Sequence, residues 1–517
     1  MVENEHVNIR ETPTEPYDHL HCFVETVEEA IARKHFVEAG RLIDEDAASA
    51  WFGFRTDRLF AIIGLLLTEL SDPGFFLTSV HRAMTAAEPD VLFSPSVVAG
   101  AEKSEPAQQY FLAVFRMSAF RSNGIHREAV EQAETMRKHQ GGLVSVFDRH
   151  NGWALHASVQ LGISAMLAGD FHRAIAAFTE AQLHVEVPAF AFLTRDALVK
   201  SALIHASFGD PHQAEALLDR AEEVPRTSSW VEPQIDVHRD FTRMLLQDEQ
   251  SGMEAMKEIH LHDIGEMWPF YIVALHRLMG TAGYRDDLEY QLKMFETLPL
   301  PKTAGHGFSG SVVPLKRALL ALSSGRGAEA QELIGQADPE VPYTQLIDAA
   351  AHLYAGRPKE ALLSVTQLRS ETSGLRLLEV RRLAIVAAAN YASENTPDSL
   401  KALEQAASLQ RGLSSREVQL FSPETRRLAE QYITQWPQEH AGPSMFLTGL
   451  PDPGAALSER ELVIIREIAM GHSRAQIAKN LYVSLNTVKS QLQSAYRKLG
   501  VSSGTSAVQE AERRGLL

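Results

Sequence analysis

"LGISAMLAGDFHRAIAAFTEA" spans Leu161 to Ala181. Its apolar residues recur at three- and four-residue spacing, the period of a helix with one buried face. Gly169-Asp170 interrupts the period, and a second apolar helix follows. "LVKSALIHASFGDPHQAEALLDRA", Leu198 to Ala221, repeats the arrangement. Gly169-Asp170 and Gly209-Asp210 stand 40 residues apart, as do Ala174 and Ala214, and Ala181 and Ala221. Further copies are "FRMSAFRSNGIHREAVEQAE" (Gly124, Ala129), "ALLALSSGRGAEAQELI" (Gly325, Ala330) and "DAAAHLYAGRPKEALLSV" (Gly356, Ala361). In each, a helix ends at a glycine and an alanine follows five positions later.

Glycine supplies the left-handed backbone that closes a helix, and alanine lets two helices approach closely. One hairpin cannot bury its own apolar face, so hairpins stack into a superhelix. The expectation is an all-α array over residues 1–435. The copies resemble the tetratricopeptide repeat, best matched by "LG…GDF…A…F…A" in Leu161 to Ala181. Their spacings of 31 to 45 residues depart from the usual length of about 34, so the array is tetratricopeptide-like and irregular. A generic helical bundle is the alternative, and the recurrent Gly-to-Ala spacing argues against it.

The chain has 517 residues, more than one ordinary domain holds, and its composition is globular, with 45% hydrophobic and 22% charged residues. Cys22 is the only cysteine, which excludes an intramolecular disulfide and a cysteine-rich zinc site. No uninterrupted apolar run of about 18 residues suggests a membrane span. The polar, acidic start does not resemble a secretory signal, so the cytoplasm is the expected location. "WPQEHAGPSMFLTGLPDPGAA", residues 436–456, breaks the helical pattern with four prolines and three glycines and reads as a linker. The charge of −17 is unevenly spread: residues 457–517 hold nine Lys/Arg and five Asp/Glu, a net +4 that leaves −21 for the rest. Such asymmetry points to a nucleic-acid module on an acidic body.

Four helices are expected in residues 457–517. Ser458 and Glu461 form a capping box, with Leu462, Ile465 and Ala469 as the apolar face. Gly471 stops that helix. Ser473 caps a second, whose Ile477, Ala478 and Leu481 point inward. Ser484 or Asn486 caps a third that Gly500 ends, and a fourth starts near Thr505. On a helical wheel the third places Val488, Leu492, Ala495 and Leu499 on one side and Lys489, Ser490, Gln493 and Arg497 on the other. The polar set can reach base edges and phosphates, which suits a helix-turn-helix.

"LSERE", "AMGHS", "IAKNLYVSLNTVKSQL" and "RKLGV" make the module resemble the LuxR/FixJ-type helix-turn-helix of bacterial transcription regulators. The resemblance implies that Lys489, Ser490 and Gln493 face bases, and that Thr487, Arg497 and Lys498 contact phosphates, with Arg474 replacing a lost cation. Where the family often has His, this chain has Gln491, and its turn after "KLGV" is the uncharged Ser502 to Gly504. Fewer phosphate contacts flatten salt dependence. The implied partners are double-stranded DNA, bound as a homodimer through the stretch around Ser506 to Arg513, and RNA polymerase. No P-loop or catalytic motif occurs, and no cofactor or enzyme activity is expected. The array would sense a small-molecule or protein effector, as in the C-terminal half of the large ATP-dependent regulators of that family. A scaffold whose terminal module binds protein is the competing class.

"WFGF" (Trp51 to Phe54) and "MWPFY" (Met267 to Tyr271) read as core aromatics. His19, His21 and Cys22, and His260, His262 and Asp263, place histidines at i and i+2, which diverge on a helix. No metal site is expected from either.

Overall fold

The computed structural model describes residues 18–74, 76–78, 80–81, 106–142, 152–183, 188–281, 284–324, 326–437, 446, 457–499, 501, 503–513 and 515–517. Among these, every regular element is a helix. The body begins with α1 (His19–Ala32), α2 (Phe36–Glu45), α3 (Ala47–Gly53) and α4 (Thr56–Glu69). It continues through α5 (Pro106–Ser122), α6 (His126–His139), α7 (Gly152–Ala168), α8 (Phe171–Leu183), α9 (Ala191–Phe208) and α10 (Pro211–Glu223). Next come α11 (Glu232–Leu246), α12 (Glu249–Glu258), α13 (Trp268–Thr281), α14 (Arg285–Thr297), α15 (Gly307–Ser323) and α16 (Gly327–Ile334). The pairs α17 (Pro342–Tyr354) and α18 (Pro358–Gln367), then α19 (Arg376–Ala392) and α20 (Thr396–Ala407), lead to α21 (Pro423–Tyr432).

Consecutive helices form hairpins, and each hairpin rests on its neighbours. Ala129, Ala174, Ala214, Ala330 and Ala361, the alanines of the repeated pattern, are all fully buried. Contacts of α7 with α15, and of α9 with α13 and α19, bring distant hairpins together. One apolar cluster runs from Leu20 to Phe446 and takes in Trp436, so residues 436 and 446 of the linker pack on the body. The aromatic motifs lie there too: Phe52, Phe54, Trp268 and Phe270 are buried.

The hairpin turns share one hydrogen-bond pattern. The backbone N–H of Ile125 donates to the carbonyl of Phe120, Asp170 to Ala165, Arg326 to Ala321 and Arg357 to His352, at 2.8–3.0 Å. This six-to-one closure needs a left-handed residue inside it. Gly124, Gly169 and Gly356 provide it, with φ of 73°, 92° and 70°. Gly325 lies outside the described residues. Gly209 corrects the expectation, since its φ is −111°. Glycine is needed there for space, because a Cβ would stand 2.5 Å from His205 Nδ1. Two further hairpins use the same closure without glycine: His35 donates to Ala30 around Lys34, and Asn395 to Asn390 around Glu394, with φ of 61° and 60°.

The C-terminal module has its own core. It comprises α22 (Glu459–Ala469), α23 (Arg474–Asn480), α24 (Leu485–Leu499) and α25 (Gly504–Arg513). Ile464, Ile465, Ile477, Val488, Leu492, Ala495, Leu499, Ala507 and Ala511 form an apolar cluster separate from that of the body. A serine opens each helix. Ser458 and Ser473 make full capping boxes with Glu461 and Gln476. Ser484 Oγ accepts from Thr487 N at 3.0 Å, and Ser503 Oγ from Ser506 N at 3.1 Å. Gly471 (φ 83°) closes α22 as expected. The apolar face of α22 is corrected: Ile464 and Ile465 are buried and Ile468 packs beside them, whereas Leu462 is half-buried and Ala469 exposed. Ala469 sits in the last turn, where the helix leaves the core.

Candidate nucleic-acid interface

The sequence "AKNLYVSLN" turns the chain between α23 and α24. Val483 N donates to Ala478 O at 3.0 Å, and Tyr482 takes the left-handed position with φ of 54°. Ser484 then caps α24. The turn leaves Tyr482 95% exposed beside the first turn of α24. Sequence reading had not singled Tyr482 out. The residue preceding Val483-Ser484 in a helix-to-helix turn was the available signal.

Within α24, Val488, Leu492, Ala495 and Leu499 are buried. On the other side Thr487, Lys489, Ser490 and Gln493 are exposed. No ion pair or hydrogen bond among the described residues engages the Lys489 or Gln493 side chain, so their polar ends are available to a ligand. Thr487 Oγ1 shares a hydrogen bond with Ser484 Oγ at 2.8 Å, and Ser490 Oγ donates to Thr487 O at 2.9 Å. Arg474 opens α23 and is exposed. The side chain of Arg497 lies outside the described residues.

Lys498 has a partner within the fold. Its Nζ donates to Glu461 Oε2 at 2.8 Å, bridging α24 to α22. Glu461 is only 3% exposed, and its Oε2 also accepts from Ser458 N at 2.6 Å. Burial pushes the Glu461 carboxyl up, but hydrogen bonds from Lys498, Ser494 and Ser458 outweigh it and bring the group down to about 2. It is therefore a carboxylate at neutral pH, with its charge matched by Lys498. Glu467 ties the next helix in the same manner: Asn480 Nδ2 donates to its Oε2 at 2.8 Å, and His472 Nδ1 lies 3.0 Å from that oxygen. These two carboxylates orient α23 and α24 on α22, a role that a one-helix wheel does not reveal.

A helix, a tight turn and a second helix with buried apolar and exposed polar sides constitute a helix-turn-helix. Residues 455–511 match the bacterial regulatory proteins of the luxR family, and the C-terminal module is a domain of that family. Over 61 residues, 12% of this chain, it is 49% identical to the probable transcriptional regulatory protein NarL of Mycobacterium tuberculosis, of which it covers 28%. It is 46% identical to the transcriptional regulatory protein YdfI of Bacillus subtilis over 61 residues, covering 12% of this chain and 29% of that protein. The oxygen regulatory protein NreC of Staphylococcus aureus is 31% identical over 130 residues, 25% of this chain and 54% of its own length. The chain thus spans under a third of the first two relatives and about half of the third.

Elsewhere the histidine pairs are engaged locally. His19 Nε2 lies 3.1 Å from Asp46 Oδ2 and 3.0 Å from Ser49 Oγ. His260 and His262 both face Asp263, at 3.6 and 3.0 Å. Among the described residues no group of three or more such side chains is placed to hold a metal ion, and no helix is long and apolar enough to cross a membrane.

Proposed function

We propose that this protein is a DNA-binding transcription regulator that reads a promoter through α24. The carrying observation is the exposed face of Lys489, Ser490 and Gln493 on a luxR-family module whose opposite face is core. Inserted in a major groove, these side chains meet base edges, while Thr487 and Arg474 flank them toward the phosphates, and Arg497 is a further phosphate contact by the family resemblance. Lys498 is the weakest candidate of the set for a phosphate contact, because its ammonium is already matched by Glu461. Tyr482 joins the interface at the start of α24, where a phenol can donate to a phosphate.

The module acts as a homodimer on two half-sites, recruits RNA polymerase, and works in the cytoplasm, without catalysis. The helical body, of tetratricopeptide-like character, controls it by binding an effector better in one arrangement of the two parts than in the other. The opposite net charges of body and module favour an off state in which the body covers the basic surface. Gel shifts of the full chain on promoter fragments test this reading. Lys489→Ala should abolish the sequence-specific shift while leaving the fold intact. Absence of any shift with unmutated protein, at low salt and on a library of fragments, would instead favour a protein-binding scaffold.

A further inference from the structure

Two of the cavities among the described residues of the body differ in how their charges are matched. One, of about 1190 Å³, lies beside Trp51, Phe52 and Trp230. Its buried cations have carboxylates at hand: Arg121 pairs with Glu266, and Lys200 with Asp196. The other, of about 420 Å³, lies among α9, α13, α15, α19 and the segment after α20. Six cations line it (Arg277, Lys316, Arg376, Arg381, Arg411 and Arg416) against three carboxylates, Asp210, Glu249 and Glu417. Arg376 takes Glu417 at 2.6 Å, and Arg411 takes Asp210.

Among the described residues, Lys316 and Arg381 have no carboxylate partner. Lys316 is 2% exposed, and its Nζ donates to Tyr343 Oη at 2.6 Å. Arg381 lies over the Tyr343 and Phe446 rings, 5.5 and 5.7 Å from their centroids, and its buried Nε and Nη1 find no acceptor among the described residues. An unmatched buried cation is expensive. Burial pulls Lys316 down, and burial together with the nearby Lys316 and Arg381 charges pulls His276 down further. Lys316 and Arg381 thus set two cations with no carboxylate among the described residues in one pocket, with His276 beside them. Val273, Leu319, Leu377, Leu413, Leu420 and Phe446 give it an apolar stretch of wall, beside polar Ser207, Ser414 and Gln419. The volume falls in the range of small-molecule sites.

We infer that this cavity is a receptor site for a small organic anion, whose carboxylate or phosphate head meets Arg381 and Lys316 and whose apolar arm lies on the leucines. Phe446 gives the site its consequence. It belongs to the linker, is buried against the body, and its carbonyl accepts from Tyr354 Oη at 3.2 Å. A head group that engages Arg381 acts on the residue that holds this linker ring. As a binding site the cavity stands alone; its regulatory meaning rests on the function proposed above.

Isothermal titration of the full chain with octanoate, phenyl phosphate, inorganic phosphate and octanamide tests the inference. Octanoate or phenyl phosphate should bind saturably, and whichever binds more tightly identifies the head group. Inorganic phosphate should bind more weakly and octanamide not at all. Arg381→Leu, and separately Lys316→Met, should weaken the organic anion on the order of thirtyfold or more, as truncation of a buried charge pair does, with unchanged far-UV circular dichroism. The inference is overturned if octanamide or inorganic phosphate binds as tightly as the organic anions. It is also overturned if none of the probes binds, or if either folded variant retains full affinity. Gel shifts in parallel separate the two ideas: DNA binding without anion binding refutes this site alone, and anion binding without any DNA binding refutes the regulator.

Discussion

Replacing Glu461 by Gln removes one charge from the joint between α22 and α24. A fall of its carboxyl from the usual 4.5 to about 2 corresponds, at about 1.4 kcal/mol per pH unit, to a native preference for the carboxylate of about 3 kcal/mol. The amide of Gln still accepts from Ser458 N, but it leaves the half-buried Lys498 ammonium unmatched. The expected loss is about 2–3 kcal/mol in the opening of the module. Hydrogen exchange by mass spectrometry on the full chain reads this directly. Peptides from α22 and α24 should exchange roughly thirtyfold faster or more in Glu461→Gln at pH 7, with the body unchanged. The pH dependence carries the sign. Because the folded group titrates below the unfolded one, the carboxylate's contribution is complete above about pH 4.5 and lost as pH falls toward 2. The gap between unmutated protein and variant should therefore narrow through that window. Equal protection at pH 7, or a gap that stays constant from pH 7 to pH 3, would refute the ion-pair account.

Gly169→Ala should lower the body's stability by about 2–3 kcal/mol, read as a lower thermal midpoint, since its φ of 92° is strained for alanine and the new Cβ would lie 2.8 Å from Val341 Cγ1. Glu394→Gly should raise stability by up to about 1 kcal/mol, because glycine relieves a φ of 60°; a lower denaturation midpoint would contradict it. Arg474→Ala should weaken binding to all DNA sequences alike and reduce the salt slope by about 1, whereas Gln493→Ala should relax sequence preference and leave that slope unchanged. Filter binding across a salt series on specific and random duplexes distinguishes the two.

Local rules made much of this legible. Period and caps placed the first three C-terminal helices, because a serine before each apolar run and Gly471 after the first act within one turn of chain. The wheel separated Val488, Leu492, Ala495 and Leu499 from Lys489 and Gln493, since the face of a helix follows from residue number alone. The hairpins at Lys34 and Glu394 were hidden because their left-handed position carries no glycine. Lys498 looked like a surface cation until α22 brought Glu461 beside it, 37 residues away in sequence. The anion cavity draws its walls from residues 206 to 446, a convergence that no short pattern encodes.

The two apolar clusters do not mix, and this shapes what mutation can do to the organism that carries the chain. If the module folds by its own cluster, a lesion that unfolds the helical body should leave Ile465, Val488 and Leu492 packed and the face of Lys489 intact. If the body restrains the module, such alleles are dominant and unregulated rather than silent. On the proposed function, a lesion in the C-terminal cluster should erase DNA contact whatever the state of the body, and be recessive. A screen of random mutants should therefore divide into these two phenotypes along the chain, with the break falling after Phe446 and before Leu457.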